Sequence, residues 1–238
     1  MGTPIEKAGF TLWLTGMRGA GKSTLAGYVG QRLKSVGRQV EVLDGDELEK
    51  SAISAGFETK EARQSEVRRL GFLARLLSRN NVVAIAASLS PYRDNRDQNR
   101  REIGRYVEVF VDCPVETLMQ RDAKGLYKKA LAGELTDFIG VTAPYEPPAN
   151  AEVVIRTHEE RVEESAQKIF QALLDLGYLK PAEVSAIIGQ KARRRPLPAK
   201  RPARPARAAR RDGARPKQRP AERKAVRPAK QTRRRARR

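Results

Sequence analysis

The chain has 238 residues, and with only 39% of them hydrophobic it is too polar for its whole length to bury a core. Its net charge of +20 is gathered at one end: residues 191–238 hold 22 of the 48 basic side chains and only Asp212 and Glu222 of the 28 acidic ones, which leaves 26 of each sign on residues 1–190. No apolar run approaches the ~18 residues of a membrane span, and a single cysteine, Cys113, argues against a disulfide-stapled scaffold. The lone thiol fits a reducing compartment. The start "MGTPIEKAGF" lacks a basic segment followed by an apolar one, so a cytoplasmic protein without a secretory leader is expected.

In chain order, "FTLWLT" (Phe10 to Thr15) is apolar and ends at a glycine, as a buried first strand would. From Lys22 to about Val36, Leu25, Val29 and Leu33 recur at helical spacing. "VEVLD" (40–44) reads as a second strand, and residues 60–79 as an amphipathic helix with Val67, Leu70, Ala74 and Leu77 inward. "NVVAIAAS" (81–88) carries no charge and is assigned to the centre of a sheet, and "YVEVFVD" (106–112) is a fourth strand. Residues 115–129 look helical with Gly125 as punctuation, and "EVVIRT" (152–157) is a fifth strand. Thr157 and Glu160 form a capping-box pattern opening a last long helix to about Leu176. Strands alternating with helices imply an α/β fold with a parallel sheet and helices on both faces. The expected division is a domain over residues 1–180, a short helical or linker segment over 181–190, and an Arg/Pro/Ala-rich basic tail over 191–238. That tail is expected to be disordered because it has little apolar surface to offset the entropy of ordering.

"GMRGAGKST" (16–24) satisfies the P-loop pattern between a strand and a helix. Gly16, Gly19, Ala20 and Gly21 would turn the backbone amides toward the phosphates of ATP. Lys22 would reach the β and γ oxygens, Ser23 would ligate Mg²⁺, and Thr24 would continue the helix whose positive end faces the same anions. This pattern serves hydrolases and kinases alike. GTPase base-recognition and switch motifs are not evident, and the third strand runs into polar "SLSPYR", which favours a small-molecule kinase.

Six blocks in order carry a more specific resemblance: "GFTLWLTGMRGAGKST", "VLDGDEL", "GFETKEARQSEVRR", "SLSPYRDNRD", "VFVDCPVETLMQRDAKGLYKKALAGE" and "FIGVTAPYEPP". Together, over residues 8 to 178, they resemble the adenylyl-sulfate kinases. The resemblance implies a P-loop NTPase-type three-layer fold with a mobile lid and a homodimer. It implies that ATP phosphorylates the 3′-hydroxyl of adenosine 5′-phosphosulfate to give PAPS and ADP. Asp44 and Asp46 match the family's D-G-D, with Asp46 near the acceptor hydroxyl as base or orienting group. Ser90, Pro91, Tyr92 and Arg93 match the S-P-Y-R segment lining the acceptor, Ser90 being a catalytic candidate. Phe57 and Phe138 match the aromatics that sandwich the acceptor's adenine. Arg121, Lys124, Lys128 and Lys129 fall in the lid, Arg121 on the ATP side and Lys124 and Lys128 toward the acceptor. Arg63 matches the arginine of the D-R-x-x-N segment. Each has a plainer reading as well: strand-end turn, helix-start ion pair, core phenylalanine, solvated helix.

The sequence departs from the family pattern mainly on the acceptor side. Glu49 stands where the family has arginine, Glu66 where it has asparagine, and Thr142-Ala143 where an acidic pair precedes "PYE". Met17-Arg18 replace Leu-Ser in the P-loop. Carboxylates near an anionic acceptor would repel it. So either they point outward or the acceptor is another nucleotide-like molecule, for example a cytidine diphosphoramidate. A third possibility is a nucleotide-binding protein tethered to nucleic acid by its basic tail, which has no aromatic residue for base stacking. His158 is expected at the surface and Cys113 in the core.

Overall fold

Every residue of β1 (Thr11–Thr15) is buried, because a parallel strand covered by helices on both faces has no solvent side. In the computed structural model, which describes residues 7–45, 59–122 and 124–189, β1 is the middle of a five-stranded sheet. Asp46, Glu49, Phe57 and the tail over 191–238 lie outside the described residues. The other strands are β2 (Val40–Asp44), β3 (Val83–Ser88), β4 (Tyr106–Asp112) and β5 (Val153–Arg156). All pair in parallel in the order β2-β3-β1-β4-β5. The charge-free β3 is therefore interior, between β2 and β1, but the middle belongs to β1. Both strands lack a solvent face, so composition cannot rank them.

The helices are α1 (Lys22–Ser35), α2 (Lys60–Arg79), α3 (Arg93–Ile103), α4 (Val115–Gln120), α5 (Leu126–Leu131), α6 (Val162–Asp175) and α7 (Pro181–Gly189). Leu25, Val29 and Leu33 of α1, Ile169 and Leu173 of α6 and Val184 and Ile187 of α7 share one core with Leu12, Leu14, Ile85 and Val109. Val67 and Leu70 of α2 form a second core with Trp13, Ala86 and Tyr106. The alternation of side chains along β1 separates the two, Leu12 and Leu14 to one face and Trp13 to the other. Of the apolar residues assigned to the inner face of α2, Leu77 is only half-buried.

Two local expectations give way to specific competitors. The helix expected over 115–129 is two short helices. The Asp122 carboxylate accepts from the amides of Leu126 (2.9 Å) and Tyr127 (2.7 Å), and so caps a new helix rather than continuing the old one. The long helix expected from Thr157, α6, starts at Val162, with Glu164 reaching back to the Arg161 amide at 2.8 Å. Thr157 does not cap it, since its hydroxyl donates to the carbonyl of Ala20 instead (2.8 Å).

The register places Thr15 beside Ser88 and Phe110, and Asp44 beside Ala87. The carboxyl ends of β1 to β4 thus form one edge, the place where open parallel sheets bind ligands. Among the described residues no helix is long and apolar enough to cross a membrane.

Candidate active site

The turn from β1 into α1 passes so close to β4 that a Cβ on Gly16 would sit 2.3 Å from the Val111 carbonyl oxygen, so no side chain fits there. The Lys22 ammonium lies back across the loop, donating to the carbonyls of Gly16 (2.8 Å) and Met17 (2.9 Å). Gly19, Gly21, Lys22, Ser23 and Thr24 line a cavity of about 250 Å³ together with Arg18, Asp44, Ala87 and Leu89. The Ser23 hydroxyl and the Asp44 carboxylate on that wall are hard oxygen donors, the chemistry that suits Mg²⁺. Asp44, expected on the acceptor side, thus lines the phosphate cavity too. Ala20 is fully buried, and its backbone carbonyl is the acceptor for Thr157.

The segment after β4 is tied to this loop by side chains. The Tyr127 hydroxyl donates to the Arg18 carbonyl at 2.7 Å, and burial pushes its pKa from 10.0 up to about 12 despite the Arg18 charge. Arg121 donates to the Thr157 hydroxyl (3.1 Å), to the Thr157 carbonyl (2.8 Å) and more weakly to Cys113 Sγ (3.7 Å). Arg121 is therefore linked to the P-loop through Thr157. Cys113 is buried as expected, and His158 is exposed beside Glu159. Lys124, Lys128 and Lys129 are all exposed.

The opposite wall is assembled from distant segments. Ser90 is 1% exposed and holds a left-handed backbone, φ +32°, which is costly for a residue with a side chain. Its hydroxyl accepts from Trp13 Nε1 (3.0 Å) and donates to the Thr15 hydroxyl (2.9 Å), which also pairs with Tyr145 (2.8 Å). Burial drives the Tyr145 phenol up to about 12, opposed by its bond to Thr15. Pro91 accepts from the Glu146 amide at 2.9 Å, and Tyr92 is buried with the Lys60 ammonium 5.1 Å from its ring centre. Arg93 is exposed and donates to the Pro147 carbonyl at 3.1 Å. Arg63 donates to the Asp137 carbonyl at 2.5 Å, one residue before Phe138. Phe138 is half-buried, edge-on to Tyr127 with ring centres 4.9 Å apart. The Phe138 amide donates to the Thr142 hydroxyl at 2.8 Å, so Thr142 closes the turn in which the family has an acidic pair.

Two details bear on the departures. Glu66 is half-buried, and its Oε1 lies 3.3 Å from where a Cβ on Gly45 would be, a point equally near the Ala87 carbonyl oxygen. A Cβ on Gly140, whose φ is +93°, would lie 2.4 Å from Met17 Sδ, so the P-loop substitution at residue 17 packs directly on the acceptor-side turn. A second cavity of about 440 Å³ opens beside Met17, Phe110, Asp112, Gly140 and Tyr145. The structure thus brings Lys22, Ser23, Thr24 and Asp44 to one cavity, and holds Ser90 to Arg93 against residues 145–147. Tyr127, through the Arg18 carbonyl and the Phe138 ring, and Tyr145, through Thr15, connect the two walls, while Thr157 ties Arg121 to the P-loop. Motif spacing singled out neither Tyr127 nor Tyr145, although both stand inside quoted blocks, and it marked Thr157 only as a helix cap.

A family model described as adenylylsulphate kinase matches residues 8–156. The chain is 48% identical over 181 residues, 76% of its length, to the whole of an adenylyl-sulfate kinase of Rippkaea orientalis. Among solved structures it is similar to the APS kinase of Mycobacterium tuberculosis in complex with AMPPNP and APS, with a TM-score of 0.66 and 34% identity, covering 70% of this chain and 98% of that one. It is also similar to a hexameric APS kinase from Thiobacillus denitrificans, with a TM-score of 0.57 and 34% identity, covering 74% of this chain and 31% of that one.

Proposed function

Because the chain belongs to the adenylylsulphate kinase family, we propose that it moves the γ-phosphoryl group of ATP onto the 3′-hydroxyl of adenosine 5′-phosphosulfate, releasing ADP and PAPS in sulfate activation. The observation that carries this is one cavity lined by both the P-loop and the carboxyl ends of β2 and β3. There a donor phosphate and an acceptor hydroxyl can lie in line.

Phosphoryl transfer depends mostly on position and on neutralising charge. The loop amides and Lys22 hold the β and γ phosphates. Ser23, with Asp44 nearby, would hold the Mg²⁺ that accompanies ATP, and that ion would offset charge on the phosphate oxygens. Asp46, the next residue but one after Asp44, orients the hydroxyl. Arg63, Arg93, Lys124 and Lys128 neutralise the acceptor, and Phe57 and Phe138 stack on its adenine. The Ser90 hydroxyl is buried and bonded to Trp13 and Thr15, which suits positioning better than direct attack. Arg121 closes the nucleotide side through Thr157. The product identifies the reaction: incubating protein, ATP, Mg²⁺ and adenosine 5′-phosphosulfate should give a 3′-phosphomonoester resonance in ³¹P NMR alongside ADP. ADP without that ester would contradict the assignment.

The Glu66 carboxylate beside Gly45 favours one second reading, a related acceptor less anionic than adenosine 5′-phosphosulfate. Glu66→Asn separates the two: weak turnover restored by this change would mean that the native acceptor differs.

The tail over 191–238 belongs, in this proposal, to a separate function from residues 1–180 and the segment 181–190. With 22 basic side chains against two acidic ones, it fits sequence-blind binding of nucleic acid or another polyanion. A chain ending at Gln190 that retains RNA at low salt as well as the full chain does would contradict this. We also propose a cytoplasmic homodimer, as the resemblance in the sequence implies. Light scattering reads the oligomer, and a monomer at working concentration would contradict it.

A further inference from the structure

Besides the exposed Arg93, a buried side chain joins the two acceptor-side segments: Arg96, which motif spacing does not single out. It is 1% exposed on α3. Its three nitrogens point three ways: Nε to Glu108 Oε1 at 2.7 Å, Nη1 to the Ser90 carbonyl at 2.7 Å, and Nη2 to the Glu146 carbonyl at 2.7 Å. Its guanidinium carbon also lies 5.8 Å from the Tyr145 ring centre. Glu108 is held in turn by Arg100 (3.2 Å). Its backbone amide donates to Glu152 at 2.6 Å, and Glu152 pairs with Arg100.

A buried ion pair is a poor source of stability, because taking both charges from water costs about as much as their attraction returns. A geometric use accounts for it better. Ser90 sits at φ +32°, a backbone state that persists only where neighbours over-determine it. Arg96 grips the carbonyl of that residue, and with its other arm the carbonyl between Tyr145 and Pro147. We propose that Arg96, backed by Glu108, is a positioning residue that locks the Ser90–Arg93 loop to the Tyr145–Pro147 segment and so sets the shape of the acceptor wall. The placement of the acceptor there rests on the function proposed above. A lysine keeps the charge, but its single ammonium lacks the planar fork that serves three fixed acceptors.

The test uses a built-in reporter. Trp13 is the only tryptophan in the chain, and its indole donates to Ser90, so its emission reads the loop without any substrate. In Arg96→Lys, measured well below its melting temperature, Trp13 emission shifts and acrylamide quenching rises. The KM for adenosine 5′-phosphosulfate rises at least tenfold, while the KM for ATP stays within twofold. A merely structural role would lower the melting temperature and leave emission and the ratio of the two KM values unchanged, and that result overturns the proposal. If Arg96→Lys does not fold, Glu108→Gln decides, since it keeps an acceptor for Nε but weakens the grip. It should move emission and acceptor KM in the same direction by a few-fold, and no movement in either overturns the proposal. A wild-type protein inert toward adenosine 5′-phosphosulfate counts against the function alone, because Trp13 emission still tests the clamp.

Discussion

The donor wall and the acceptor wall of this site are built in different ways. The donor wall is one contiguous stretch, residues 16–24, whose shape is set by backbone and by the strand and helix on either side. The acceptor wall is collected from residues 44–45, 63–66, 90–93 and 137–147, and is held by bonds such as Ser90 to Trp13 and Arg96 to Glu146 that span 77 and 50 positions. A local loop can be kept by a short motif. An assembled wall depends on many partners and can drift one residue at a time, which is where Glu66 and Thr142-Ala143 stand.

Variants can break this contrast. The largest expected effect is on the donor wall: Lys22→Ala removes a phosphate cation and lowers kcat by roughly 10²–10³-fold, while circular dichroism shows the fold retained. On the acceptor wall, Ser90→Ala leaves the buried Trp13 N–H without its acceptor, a loss of about 1–3 kcal/mol readable by urea unfolding. It should also raise the KM of the acceptor and spare that of ATP. Equal changes in both KM values would erase the distinction between the walls.

Tyr127→Phe sharpens the contrast by touching the contact between lid and P-loop. Losing the bond to the Arg18 carbonyl costs about 1 kcal/mol and should appear in the KM for ATP and hardly in that of the acceptor. The smallest effect is on alkaline stability. The phenols of Tyr127 and Tyr145 titrate at about 12 in the fold against 10.0 ordinarily. Between those values the unfolded chain releases the protons that the native state retains, so their stabilising contribution is intact below about pH 10 and is lost as pH rises through about 12. Unfolding free energy measured from pH 9 to 12 should fall less steeply in Tyr127→Phe than in the parent.

How much of this was legible in the sequence follows the same division. The strands at 40–44 and 106–112 and the helix over 60–79 appear at their expected bounds, because each carries its own hydrophobic period or apolar run. The P-loop lies where its spacing put it, since glycine, lysine and serine act through local geometry. The break at Asp122 and the diversion of Thr157 to Ala20 were not legible. In both cases a polar side chain had two possible partners, and only the folded chain decides between them. Arg96 was hidden for the same reason. In the sequence it is one arginine among many on a charged helix, and its partners at 90, 108 and 146 become neighbours only when β3, α3 and β4 pack. The contact of Met17 with Gly140 was hidden too, since the two are far apart in the chain.

The most direct test of the central claim is ADP release from ATP and Mg²⁺ with and without micromolar adenosine 5′-phosphosulfate. Strong stimulation, with PAPS formed in equal amount, is the predicted result and would mean that Glu49, Glu66 and Thr142-Ala143 are tolerated within an adenylyl-sulfate kinase. No stimulation in a protein that still binds ATP would contradict the account and mean that the acceptor wall has been rebuilt for a different nucleotide-like molecule.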